Sequence, residues 1–152
     1  MTKTFEVRRS LNVDKAVTTD PSRLAIVLRN VLHNVLHIAR TYVSDGGVIA
    51  ISSAILDGVV EISVTNSGSQ VPAHEAARVF DRCWCGNKSR SQTGSRFGLG
   101  LAIVNLATQA IGETVKATCE QGGDLSIVIC LPIQGRHHGP VHWRGNPPDH
   151  GE

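Results

Sequence analysis

The chain has 152 residues, 41% of them apolar and 18% charged, with a formal net charge of +2. That length holds one domain with a real core and is short for two. The weak positive balance comes without a dense Lys/Arg run, which excludes a nucleic-acid binder, and the absence of a signal peptide or of the roughly 20 consecutive apolar residues needed to span a bilayer gives a soluble, cytoplasmic domain without membrane contact as the expectation.

In chain order, residues 4–13 mix apolar and charged side chains near period two (Phe5, Val7, Leu11, Val13) and read as an edge strand. Asp20-Pro21 is a helix start, a side-chain cap followed by proline at the first helical position. Leu24, Val27, Leu28, Val31, Leu32, Val35 and Ile38 then recur at helical spacing, which predicts an amphipathic helix to about Tyr42. Gly46-Gly47 breaks it. Residues 48–56 and 59–65 are β-rich runs separated by Asp57-Gly58, a hairpin turn. Val71-Pro72 leads into a short helix over Ala73–Phe80. Residues 82–96 are polar and rich in Gly, Ser and Asn, a loop of about fifteen residues and so long enough to be functional or mobile. A helix over residues 98–111 ends at Gly112, and strands at 114–119 and 125–131 are joined by Gly122-Gly123.

This order predicts an α/β (α+β) two-layer sandwich: a mixed, mostly antiparallel sheet covered on one face by about three helices, with a long loop. The domain is expected over residues 1–132. Residues 133–152, rich in Gly, Pro and His, read as a disordered or flexible tail. Cys83 and Cys85 form a C-x-C pair without a second pair at metal-binding spacing, and Cys119 and Cys130 fall in strand-like runs, so all four read as ordinary thiols.

Three stretches carry chemistry. Gly98-Leu99-Gly100-Leu101, followed by Ala102-Ile103-Val104, places a glycine turn at a helix start, where unpartnered N–H groups and the positive end of the macrodipole can hold a phosphate; the plainer reading is a tight turn. Asn30 and Asn34 lie four apart on one face of the first helix, and an amide oxygen is a hard neutral ligand suited to Mg²⁺; the plainer reading is two exposed or capping asparagines. Asn66, leaving a strand in Asn66-Ser67-Gly68, can accept from an amino group and donate to a ring nitrogen, as the edge of adenine requires; the plainer reading is a turn.

Taken together and in this order, these stretches resemble the ATP-binding catalytic domain of sensor histidine kinases, in the superfamily shared with DNA gyrase, Hsp90 and MutL. The resemblance covers residues 20–132. Asp20-Pro21 through Asn34 is similar to the N box, residues 66–72 to the first glycine box, Val79-Phe80-Asp81-Arg82 to the F box, residues 82–96 to the ATP lid, and residues 98–104 to the second glycine box. The resemblance implies that Asn34 ligates Mg²⁺ with Asn30 in support, and that Gly98, Leu99, Gly100 and Leu101 offer N–H groups to the phosphates of ATP. It implies further nucleotide contacts from His37, Asn66, Gly68, Val71, Phe80, Arg82, Arg90 and Arg96.

Departures from the pattern are informative. Asn66 stands where the family places an aspartate, Gln70 replaces the box's second glycine, Arg96 and Phe97 replace a small pair, Cys85 occupies a position commonly basic, and His37-Ile38 replaces Lys-Tyr. Hydrolysing members carry a glutamate one turn before the metal asparagine; here that residue is Asn30, whose amide cannot take a proton from water. The implied reaction is therefore transfer of the γ-phosphoryl group to a histidine. No helical hairpin bearing one is legible before Asp20, so the acceptor is expected on a separate dimerisation domain or partner, with a response regulator downstream, the chain being an excised domain or one half of a split kinase. Two alternatives stay open: a partner-switching serine kinase of the anti-sigma type, and a degenerate, non-catalytic nucleotide-binding interaction module.

Overall fold

The computed structural model describes residues 4–42, 46–69, 71–82, 100–120 and 123–133, with the side chains of residues 38–42 excepted. The elements run β1 (Phe5–Leu11), α1 (Pro21–Tyr42), β2 (Gly47–Leu56), β3 (Val59–Asn66), a 3₁₀ helix (Ala73–Phe80), α2 (Gly100–Ala110), β4 (Thr114–Cys119) and β5 (Leu125–Pro132).

Helix α1 starts where the cap requires. Asp20 Oδ1 accepts from the N–H groups of Ser22 (2.9 Å) and Arg23 (3.1 Å), satisfying two donors that have no partner within the helix. The predicted apolar stripe is the buried one: Val27, Val31 and Val35 are at most 1% exposed. The Asp57-Gly58 turn joins β2 to β3 with positive φ at both residues (50° and 81°), the mirror-image turn whose twist matches a hairpin. The short helix is 3₁₀, set by three-residue bonds such as Glu75 N–H to Pro72 C=O at 2.9 Å.

The five strands form one sheet in the order β1-β2-β3-β5-β4, antiparallel except for β1, which runs parallel to β2. The described helices cover one face only. There α1, α2 and Val79 bury Val31, Leu101 and Val104 against Ile49, Val60, Val64, Ile127, Ile129 and Leu131 of the sheet. The strand register puts Ala50, Ser52, Ser63, Thr65 and Ser126 on the opposite face, where the Thr65 and Ser126 hydroxyls bond at 2.7 Å. Small and hydroxylated residues suit a face that no described helix covers.

Two contacts fix how the helices lie on each other. Arg23 Nη1 donates to Ala110 C=O (3.1 Å), joining the start of α1 to the end of α2, while Asn34 meets Gly100 at the start of α2. The eleven residues from Arg23 to Asn34 rise about 16 Å and the ten from Gly100 to Ala110 about 15 Å, so the helices are antiparallel and in step. The lead-in to α1 is held by the far side of the sheet: Val17 forms an isolated bridge with Ile133, the residue from which the sequence reading starts the tail, and Thr18 N–H reaches Pro132 C=O at 3.4 Å. The predicted long loop lies almost wholly outside the described residues, as do residues 134–152.

Candidate functional site

The asparagine pair is built into α1 by its own backbone. Asn30 Nδ2 donates to Ile26 C=O and Asn34 Nδ2 donates to Asn30 C=O, both at 2.8 Å. Such bonds to the carbonyl four residues back orient each amide, with the donor end committed to the helix and the acceptor Oδ1 presented away from it. Asn34 is 7% exposed. Beside it, Gly100 opens α2, and a Cβ on Gly100 would stand 3.2 Å from Asn34 Cγ, 3.3 Å from Oδ1 and nearer still to Nδ2. Gly100 is thus a glycine because the Asn34 amide occupies the space of its side chain. The consequence is chemical. The start of α2, whose first N–H groups have no partner within the helix and lie at its positive dipole end, stands beside a neutral amide oxygen.

Asn66 ends β3 on the helix-covered face, opposite Ile49 of β2 and Leu125 of β5. It is fully buried, and neither Nδ2 nor Oδ1 has a hydrogen-bond partner among the described residues. Leaving a buried polar group unsatisfied costs about 1–3 kcal/mol, so this amide has one donor end and one acceptor end open to a partner that the described residues do not supply.

The turn after Asn66 is fastened on both sides. Ser67 N–H donates to Val48 C=O (3.0 Å), and Ser67 Oγ accepts from Val48 N–H (2.9 Å). On the other side Gly68 N–H reaches Asp124 Oδ1 (3.2 Å), and Ser69 donates to Gly123 C=O through both N–H (2.7 Å) and Oγ (2.8 Å). Gly68 takes φ of 59°, a conformation glycine adopts without strain. Asn66 is therefore held by β2 and by the β4–β5 connection at once, and its neighbour Val71 is tied back through its N–H to Ser69 Oγ at 3.3 Å.

Of the remaining expected site residues, Val79 is buried and Phe80 packs against the core, which anchors the chain where the long loop begins. Arg82 is exposed, and His37 is half-buried on α1 and already engaged with other groups. Arg90, Arg96, Gly98 and Leu99 lie outside the described residues, together with Gln70, Cys83, Cys85 and Phe97. Leu101 is buried in the first turn of α2. Among the described residues no group of three or more His, Cys, Asp or Glu is placed to hold a metal. The donor chemistry at Asn34, one neutral oxygen beside a helix start suited to an anion, fits Mg²⁺, which keeps several waters and is commonly shared with phosphate oxygens.

One titratable group escaped the sequence reading. Glu113, just past α2, is 5% exposed, and burial raises its pKa from 4.5 to about 7. The Thr19 hydroxyl weakens that rise without completing a hydrogen bond: Thr19 Oγ1 and Glu113 Oε2 are both buried and unpartnered. Nothing in the sequence pattern marked it, because a single Glu after a helix-ending glycine reads as a solvated turn residue.

A one-sided, mostly antiparallel sheet with an asparagine-bearing helix facing a glycine at the start of a second helix defines an ATP-binding fold. The chain belongs to the histidine kinase-, DNA gyrase B-, and HSP90-like ATPase family, whose profile matches residues 19–135. It is 31% identical over 137 residues to the sensor histidine kinase CusS of Escherichia coli K12, covering 86% of this chain and 28% of that protein. It is 32% identical over 127 residues to the sensor-like histidine kinase SenX3 of Mycobacterium tuberculosis H37Rv, covering 80% of this chain and 31% of that protein. Among solved structures, the mycobacterial sensor histidine kinase MprB matches with a TM-score of 0.68 at 28% identity, over 85% of this chain and 84% of that one. Full-length ShkA in complex with AMPPNP matches with a TM-score of 0.64 at 25% identity, over 85% of this chain and 26% of that one. The chain thus spans about 30% of the length of the sensor kinases it resembles. No described helix is long and apolar enough to cross a membrane.

Proposed function

We propose that this chain is the ATP-binding catalytic unit of a two-component sensor histidine kinase, taking Mg²⁺-ATP between α1 and α2 and passing the γ-phosphoryl group to a histidine on a separate domain or partner. The observation that carries the reading is the seating of the Asn34 amide in the space left by Gly100. Asn34 Oδ1 would hold Mg²⁺, which when bound offsets phosphate charge and fixes the phosphate tail. The N–H groups of Gly100 and Leu101 receive phosphate oxygens at the α2 terminus, and Asn66 receives the base.

Asn30 gives the reaction its direction. Its amide nitrogen is bonded to Ile26 C=O and carries no basic group, so the position that would activate water in a hydrolase holds the helix instead. The phosphoryl group then survives until a histidine is presented. The likeness to CusS, SenX3 and MprB supports a histidine kinase reaction, and the AMPPNP complex of ShkA supports an adenine nucleotide in the pocket; a response regulator downstream and a cytoplasmic setting are part of the same proposal.

The test is calorimetry with AMPPNP and Mg²⁺ on the chain and on Asn34→Ala. Removing one charge-facing ligand costs about 1.5–3 kcal/mol, so affinity should fall at least tenfold while the thermal melt stays cooperative. A folded Asn34→Ala that binds as tightly as the parent refutes the assigned site.

A further inference from the structure

The amide at Asn66 differs from the one at Asn34 in a way that bears on which nucleotide is read. Nothing among the described residues fixes its direction. Asn34 is oriented by its bond to Asn30 C=O, whereas both ends of the Asn66 amide are buried and unpartnered among the described residues. A 180° rotation about its terminal torsion exchanges donor and acceptor at no cost in protein hydrogen bonds. The rest of the residue is held: β3 pairs with β2 and β5 on either side, and the next residue bonds twice to Val48. Asn66 therefore presents, from a fixed place, one donor beside one acceptor in either order.

Purines offer two complementary edges to such a group. A 6-aminopurine presents a donor at its exocyclic amine and an acceptor at N1. A 6-oxopurine presents the reverse, an acceptor at O6 and a donor at N1. One amide orientation completes two hydrogen bonds with the first, and the flipped orientation completes two with the second. A carboxylate, the residue of the related pattern, only accepts; in the same pose it bonds the amine of adenine but opposes N1, or bonds N1–H of a 6-oxopurine but opposes O6, and so completes the pair with neither.

We infer that Asn66 makes the base pocket permissive, so that 6-oxopurine nucleoside triphosphates bind alongside ATP. The inference rests on the nucleotide reading proposed above and adds the range of bases it admits. Hypoxanthine is the sharper probe because it carries the 6-oxo edge without the 2-amino group of guanine, which separates hydrogen-bond reading from steric fit.

The experiment is calorimetric titration of the chain with ATP, ITP and GTP in Mg²⁺, repeated on Asn66→Asp, with circular dichroism and a thermal melt to show that both proteins are folded. On the parent, ATP and ITP should bind within about tenfold of each other, since each completes a bidentate pair. On Asn66→Asp both should weaken by about tenfold or more, with their ratio still within about tenfold, since a carboxylate completes one bond and opposes one lone pair with either base. GTP tracking ITP supports the inference further; ITP binding without GTP supports it too, with the 2-amino group excluded by shape. ATP binding on the parent with ITP rejected about 100-fold overturns permissiveness and leaves the nucleotide site standing. Failure of every nucleotide to bind the folded parent overturns both. Should Asn66→Asp not fold, Asn66→Ser removes the paired donor and acceptor geometry, and equal losses of ATP and ITP affinity are expected; a loss confined to ATP overturns the inference.

Discussion

Gly100→Ala is the smallest change that tests how the site is assembled. Two effects oppose each other. Alanine is a better helix former than glycine by up to about 1 kcal/mol in a helix interior, and less at a first helical residue, so propensity alone predicts a neutral or mildly stabilised protein. Against this, the new methyl would stand 3.2 Å from Asn34 Cγ and closer to Nδ2, so the amide must leave its place. That breaks the 2.8 Å bond to Asn30 C=O in a nearly buried setting, a loss of about 1–3 kcal/mol. The clash should win, with a net destabilisation of about 1–2 kcal/mol, read as a drop in the urea midpoint at unchanged slope. Nucleotide affinity should fall as well, because Oδ1 moves with the amide. The decisive control is the same substitution in an Asn34→Ala background, where the three atoms nearest the methyl are gone and the change should be neutral or stabilising. A Gly100→Ala equally destabilising in both backgrounds would refute the argument, since no coupling between the two positions would remain.

Two further predictions concern stability. Glu113 holds its proton up to pH about 7 in the fold and releases it near its ordinary 4.5 when unfolded, so its contribution is fully present below pH 4.5 and is lost as pH rises to 7. The difference amounts to about 3 kcal/mol at most. Glu113→Gln should flatten the fall in stability between pH 5 and 8, measured by denaturant unfolding; an unchanged slope would remove Glu113 as its source. Asp20→Ala takes the acceptor from two N–H groups of α1 and should cost about 1 kcal/mol, with Asp20→Asn retaining most of it; equal urea midpoints for Asp20→Ala and the parent would show that the cap is idle.

Local signals in the sequence carried far where their physics is local. Asp20-Pro21 set the start of α1, Asp57-Gly58 set the β2–β3 turn, and the spacing of Val27, Val31 and Val35 named the face that α1 buries. Pairing between distant segments was less legible. That β1 runs parallel to β2, and that Val17 bridges Ile133, depends on strands meeting across the whole chain, for which neither turn chemistry nor periodicity leaves a trace. The site shows the same division. Asn30, Asn34, Asn66 and Gly100 were all singled out by residue type and spacing, but the reason for Gly100 was read differently. Conformational freedom and phosphate approach were the expectation; the structure adds that an asparagine eleven residues beyond Arg23 fills the missing side chain's volume. Glu113 was invisible, because its burial is set by what α1's lead-in and the end of α2 enclose together, not by its neighbours in sequence.

The antiparallel match of α1 and α2 keeps two charge-sensitive places apart. Asn34 and Gly100 lie at one end of the helix pair, whereas Arg23, Ala110 and the backbone of Glu113, bonded to Thr108, lie at the other. Ten residues of helix put about 15 Å between them, well beyond the roughly 4–6 Å over which one charge strongly shifts another group's titration. Acidification can therefore firm up the domain through its distal carboxyl with little effect on the Asn34–Gly100 end, so durability and the proposed nucleotide affinity can respond to acidity on separate scales.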